Sequence, residues 1–197
     1  MKFVMLENLK RYKVILASNS PRRRELLAGL GIDFEVKVLP FINEDYPEGM
    51  AAIEIAGYIA RKKADAYRRV MLSDNLIITA DTVVIVGNEV LGKPVDASDA
   101  HRMLRQLSGK THQVVTGVCL TTFEEQRHFS VKTDVTFKPL TDEEIAYYIG
   151  HYHPFDKAGA YGIQEWIGYV GVTGINGSYF NVMGLPVQRI YTELTNF

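Results

Sequence analysis

This chain has a single cysteine, Cys119, so an intrachain disulfide and a thiolate metal cage are both excluded. The strand-like setting VVTGVCLTT predicts a small buried hydrophobe there rather than a reactive thiol. Long apolar runs are missing too. The opening MKFVMLENLKRYK has only a short apolar stretch before Glu7, too little for a signal peptide, and no run reaches bilayer length. A cytoplasmic protein without membrane contact is expected. Charge of one sign is also lacking: 22 Lys and Arg face 23 Asp and Glu, a formal net charge of -1. No global field recruits nucleic acid, so any cationic site must be local. Trp166 is the one tryptophan, and with the tyrosines it is expected in the core or its rim rather than in a base-stacking row. Hydrophobic residues at 47% and charged residues at 23% describe an ordinary globular chain.

The apolar run Val14, Ile15, Leu16, Ala17 reads as a strand, and Ser20 followed by Pro21 as a helix entry with proline at the first helical position. FEVKVL then alternates as a second strand, and PFINEDYPEG is a loop. Over residues 51–67 the spacing predicts a helix whose Ile55, Ile59, Lys63 and Tyr67 stack on one face, a lysine interrupting an apolar stripe. LIITA predicts a buried strand ending at Asp81, after which VVIV pairs with EVL through Gly87-Asn88. A helix over 97–107 stops at Gly109, and THQVVTGVCLTTF with HFSVKTDVTF forms a half-exposed hairpin. Thr141 and Glu144 make a capping box before a short helix. Beyond Gly150 the glycines are too dense for regular structure throughout and suggest close backbone packing. The expected fold is α/β around one elongated mixed sheet.

A strand entering a helix through Ser18-Asn19-Ser20-Pro21 brings free backbone amides and a positive helix end to one point, which suits an anion. Arg22 lies in the first turn, where a guanidinium can grip phosphate with two prongs. Arg23 and Arg24 are each rotated by about 100°, so at most two of the three can face one ligand, and Arg24 is expected in solvent. Asp81 at a strand end needs a cation, and with Glu44 it could share a hard divalent ion such as Mg²⁺. Lys63 and Lys93 could point inward to the same place. Two decoys are set aside. Gly109-Lys110-Thr111 lacks the upstream glycine of a phosphate loop, Leu104 standing there. His151 and His153 form an H-x-H with no third ligand, expected in a loop.

Taken together, ILASNSPRRRELL, IARKKADA, ITADTVV, LGKP, TDVTF, DKAGAYGIQ and INGSYFNVMGLP resemble the Maf family of nucleotide pyrophosphatases from about Lys13 onward. This divides the chain into a 1–12 extension and one catalytic domain over 13–197. The resemblance implies an inosine-triphosphatase-like fold, with two lobes and a central cleft. It also implies hydrolysis of nucleoside triphosphates to monophosphate and pyrophosphate with Mg²⁺ or Mn²⁺. Asp81 would be the proton acceptor, positioning or deprotonating the attacking water. Glu44 would help hold the metal, with Asp45 able to replace it after a one-residue shift. Ser18, Arg22, Lys63 and Lys93 would face the phosphates, Arg23 assisting. Arg22, Thr82 and Gln164 match the dTTP/UTP branch, in which modified pyrimidine triphosphates are also expected substrates. The Gln164 amide has a donor and an acceptor for the edge of uracil or thymine. A homodimer, and an alternative role as a nucleotide-binding regulator of septum formation without important turnover, are further implications.

Overall fold

The computed structural model describes residues 6–197, among which one seven-stranded mixed sheet is flanked by seven α-helices. Strand β1 (Lys13–Leu16) runs parallel to β2 (Glu35–Val36) on one side and to β3 (Asn75–Val86) on the other. The remaining strands, β4 (Glu89–Leu91), β5 (Thr111–Thr121), β6 (Gln126–Phe137) and β7 (Val172–Asn176), pair antiparallel, giving the order β2-β1-β3-β5-β6-β7 with β4 also on β3. The expected mixed α/β sheet is present.

One expectation is corrected at the centre of the molecule. Asp81 does not end a strand: β3 continues unbroken from Asn75 through Val86, and Asp81 sits mid-strand opposite Gly117. No glycine or proline interrupts 75–86, and β5 pairs with β3 continuously from Ile77 to Ile85, so the backbone has a partner throughout on that side. The other edge of β3 differs. β1 pairs with residues 75–78 and β4 with 84–86, and between them the edge is open. Strand neighbours diverge here, at the kind of switch point where open sheets place ligands.

Because side chains alternate across a strand, the two faces of β3 carry different layers. Helix α2 (Ala52–Arg68) covers one, its Ile55, Ala56 and Ile59 packed with Val83, Ile85 and Val115. The approach is close because position 117 is glycine: a Cβ there would lie 2.4 Å from the Ala56 carbonyl and the Gly57 nitrogen. The Thr79 hydroxyl donates to the Ala60 carbonyl at 2.7 Å, fixing the helix lengthwise.

The opposite face holds two separate cores. Around Ile78 and Ala80 pack α1 (Pro21–Ala28) and α7 (Val187–Thr195), through Leu27, Ile190 and Leu194. Around Val84 pack α3 (Ala97–Leu107) and α4 (Asp142–Tyr152), through Leu104, Leu107, Ile145 and Tyr148. Between them on the same strand face stands Thr82. Its hydroxyl meets the Thr116 hydroxyl at 2.9 Å, and Thr116 donates to the backbone of the buried Asn181 in α6 (Tyr179–Met183). A polar seam therefore divides two lobes.

Local signals behave as their chemistry demands. The Ser20 hydroxyl accepts from the Arg23 amide and Pro21 opens α1, while Thr141 and Glu144 form both bonds of a capping box on α4. Gly109 has a left-handed φ of 69° after α3. In the glycine-rich segment, a Cβ on Gly168 would lie 1.8 Å from the Ile163 carbonyl, as the density of glycines implied; α5 (Trp166–Gly171) occupies part of it. Cys119 is fully buried and its thiol is pushed up to about 12 by burial.

Three smaller readings change. FEVKVL pairs only at Glu35–Val36, because β1 offers it just Ile15 and Leu16 before turning away. His151 is helical, since α4 runs through Tyr152, and His153 forms its left-handed C-cap. Leu6 and Leu9, within the proposed 1–12 extension, are buried, and the Asn8 amide donates to the Leu194 and Phe197 carbonyls; Met1 to Met5 lie outside the described residues.

Candidate active site at the open edge of β3

The site is built where β1 leaves β3. The last sheet bond of β1 runs from the Ala17 amide to the Ile78 carbonyl at 2.9 Å, and the chain then turns through Ser18 into α1. Ser18 is buried, its hydroxyl accepting from the Ser20 amide at 3.2 Å. The next outward carbonyl of β3, that of Ala80, would be an orphan acceptor. Arg23 fills the gap: its Nη1 donates to the Ala80 carbonyl at 2.8 Å, Nη2 to the Thr82 hydroxyl at 3.1 Å and Nε to the Gly184 carbonyl at 2.8 Å. A planar fork with five fixed donors suits three acceptors in a row. Burial lowers the Arg23 pKa, Asp81 opposes that shift, Arg22 adds to it and Glu44 opposes it. Arg23 is thus a fixed positive charge within electrostatic reach of the acids, and Thr82 is bound within the seam.

On the α2 face, Asp81 and Lys63 meet at 2.9 Å, and Lys63 Nζ also reaches Glu44 at 3.0 Å. The lysine and Asp81 side chains are 13% and 14% exposed and Glu44 is 55% exposed, so one shielded ammonium holds a sheltered carboxylate and a wet one. Asp45 is not part of this group: its amide donates to the Asn43 side chain, and its carbonyl accepts from Lys62. Two carboxylates against one ammonium leave an excess of negative charge open to solvent. Such oxygen donors suit a hard cation that takes one or two carboxylates and completes its shell with water and phosphate oxygens. No group of three or more His, Cys, Asp or Glu gathers anywhere among the described residues.

On the opposite side Arg22 Nη1 donates to Asp156 Oδ2 at 2.9 Å, bridging α1 and the segment after α4. Asp156 also accepts from Lys157 at 2.7 Å. Burial would raise the Asp156 pKa, but the Lys157 and Arg22 bonds outweigh it and hold the carboxyl at about 2. Lys157 is itself buried, its ammonium also 3.1 Å from Glu165. Gln164 is partly buried, and its Oε1 is shielded from solvent with no partner among the described residues. Lys93 lies in solvent just beyond β4, and Arg24 is likewise exposed.

The structure therefore joins Asp81, Glu44 and Lys63 directly, gathers Ser18, Arg22, Arg23 and Thr82 around the same open edge, and leaves Lys93 outside any bonded group. Sequence reasoning did not single out Gly117, Asp156, Lys157, Tyr148 or Glu165. DKAG was visible as a motif, but the partners of its Asp and Lys come from distant chain segments.

The overall shape matches that of a solved HAM1 protein from Coxiella burnetii, with a TM-score of 0.50, 16% identity, and coverage of 94% of this chain and 100% of that one. This likeness concerns the fold. Curated relatives named dTTP/UTP pyrophosphatase include one from Phocaeicola vulgatus, 67% identical over 190 residues, covering 96% of this chain and 98% of its own. Another, from Parabacteroides distasonis, is 58% identical over 193 residues, covering 98% and 100%. A third, from Flavobacterium psychrophilum, is 50% identical over 184 residues, covering 93% and 94%. The family model described as Maf-like protein matches residues 13–197, and with relatives this similar over nearly the full length, the chain belongs to the Maf family.

Proposed function

We propose that this protein hydrolyses dTTP and UTP between the α- and β-phosphates, releasing the nucleoside monophosphate and pyrophosphate. The observation that carries the reading is the open edge of β3, where a carboxylate pair on lysine faces one side and arginines at a helix entry face the other. The name shared by relatives 50–67% identical supports the substrate class.

In this reading Arg22 grips phosphate oxygens, and the Arg23 charge, fixed by three acceptors, favours a polyanion without moving. Lys63 holds Asp81 in place through a charge-assisted bond, and Asp81 is the proton acceptor for the attacking water. Asp81 and Glu44 would hold Mg²⁺ or Mn²⁺, which when bound offsets the charge of the triphosphate. Lys93 has an exposed ammonium at the solvent side, suited to the departing pyrophosphate. Gln164 supplies an amide for the pyrimidine edge, and its free buried oxygen supports that assignment. No helix among the described residues is long and apolar enough to cross a membrane, which is compatible with action on the cytoplasmic nucleotide pool.

The test is a panel of triphosphates incubated with Mg²⁺ or Mn²⁺. Pyrophosphate is expected from dTTP and UTP. Release of inorganic phosphate and diphosphates, or no release from any triphosphate, overturns the reading.

A further inference from the structure

A single chain of side-chain bonds connects the arginine end of the site to the turn that carries Gln164. From α1, Arg22 donates to Asp156; Asp156 accepts from Lys157; Lys157 pairs with Glu165; and Glu165 accepts from the Tyr148 hydroxyl of α4. That hydroxyl also accepts from the Gly162 amide at 2.9 Å. The middle of the chain is the most sheltered, with Lys157 8% and Glu165 19% exposed, whereas Asp156 is 57% exposed. A buried ammonium needs compensating charge, so Lys157 cannot leave both carboxylates without a large desolvation cost. Asp156 is thereby anchored on one oxygen and meets Arg22 with the other. Only Nη1 of Arg22 is used in that bond, so the guanidinium is aimed by Asp156 while its other donors stay open to a ligand.

The far end is equally constrained. Gly162 approaches so closely that a Cβ on it would lie 2.9 Å from both Gln164 Nε2 and the Glu165 carboxyl carbon. Gly162, held by the Tyr148 hydroxyl, thus lies against the Gln164 amide as well as the Glu165 carboxylate.

We propose that the buried Lys157–Glu165 pair is a positioning element shared by the two ends of the site, so that the aim of Arg22 at phosphate and that of Gln164 at the base both depend on it. Lys157 and Glu165 touch no reacting atom in this account; they act through Asp156 and through the Gly162 turn. The proposal rests on the pyrimidine nucleotide reading for the identity of its ligands.

It is tested by binding rather than turnover, with two probes measured by calorimetry on the full chain: inorganic pyrophosphate for the phosphate end, and the affinity ratio of UMP over CMP for the base end. Asp156→Asn is expected to weaken pyrophosphate about two- to fivefold, as for a solvent-exposed ion pair, and to leave the UMP/CMP ratio unchanged. Tyr148→Phe keeps the ring but removes both hydroxyl bonds; it should lower the ratio about tenfold with pyrophosphate affinity unchanged. Glu165→Gln, in the middle, should shift both. A merely structural pair would lower thermal stability without this split. Folded Glu165→Gln with neither probe altered, or with only one altered, overturns the shared positioning. Should that variant not fold, the two end variants decide: either one failing to shift its own probe overturns it. A wild type that binds the probes selectively but releases no pyrophosphate from triphosphates contradicts the proposed reaction and leaves the shared positioning standing. A wild type that binds neither probe overturns both.

Discussion

The two sides of β3 at its open edge are opposite in charge and differ in how many bonds hold their groups. On the α2 side, Asp81 and Glu44 share one lysine, so negative charge is in excess and one of the two acids is exposed. On the α1 side, Arg22, Arg23 and Lys157 outnumber Asp156 and Glu165, and most of these groups are locked by bonds to backbone or to each other. A triphosphate with its cation is itself divided in this way. In the proposed reaction, the side that would accept a metal and a proton keeps one exposed carboxylate beside a sheltered one, and the side that would recognise an anion is preorganised, which lowers the reorganisation required at the moment of reaction.

The contrast is broken most severely at Gly117, which lets α2 lie close enough for Lys63 to reach Asp81. In Gly117→Ala the new Cβ meets helix backbone at 2.4 Å, so α2 must lift. Overpacking of this kind costs on the order of 3 kcal/mol. A displacement of Lys63 by about 1 Å would lower kcat roughly 100-fold. Denaturant unfolding and steady-state kinetics check the two effects, which should appear together.

A comparable loss of stability on the other side comes from acid. His112, buried beneath the 157–165 segment, bonds the Tyr161 hydroxyl at 2.7 Å, and burial pushes its pKa down to about 4 from the ordinary 6.5. Between those values the unfolded chain takes up a proton that the native state refuses. Stability therefore falls as pH drops from 6.5 to about 4, by about 3 kcal/mol, and this contribution stops changing below. Unfolding curves of wild type and His112→Gln over that range should diverge, the variant losing the slope. Asp156 acts lower: its carboxyl is at about 2 against 3.8, so its contribution is present above 3.8 and lost only as pH falls towards 2.

The smallest effect is expected at Lys93. It makes no bond in the folded protein, so Lys93→Ala should leave the melting temperature unchanged while lowering kcat about fivefold, through a weaker hold on the leaving group. An unchanged kcat would confine the phosphate contacts to the preorganised side.

Much of this arrangement is legible in the sequence because it is local. Ser20-Pro21 and the Thr141/Glu144 box declare helix entries within four residues, and Lys63 is conspicuous because it interrupts an apolar stripe at helical spacing. The strand position of Asp81 is hidden for a physical reason: a carboxylate after LIITA suggests a strand end, yet a strand can continue through an acid where its outer edge is open and a lysine neutralises it. Gly117 reads as one more residue of a long strand, and its role appears only when α2 is laid across it. The Asp156, Lys157 and Glu165 connections join α1, α4 and the glycine-rich segment, contacts that local periodicity does not encode. The two cores on one sheet face were equally hidden, since only the register places Thr82 between Ala80 and Val84.

In the proposed reaction the acidic side performs the chemistry and the arginine side the recognition. This division is tested most directly by Asp81→Asn, measured for UTP turnover and, without divalent metal, for pyrophosphate affinity in the same preparation. Turnover is expected to fall by about 10²–10⁴-fold while pyrophosphate binding and the circular dichroism spectrum stay those of the wild type. Turnover retained near the wild-type rate would contradict it.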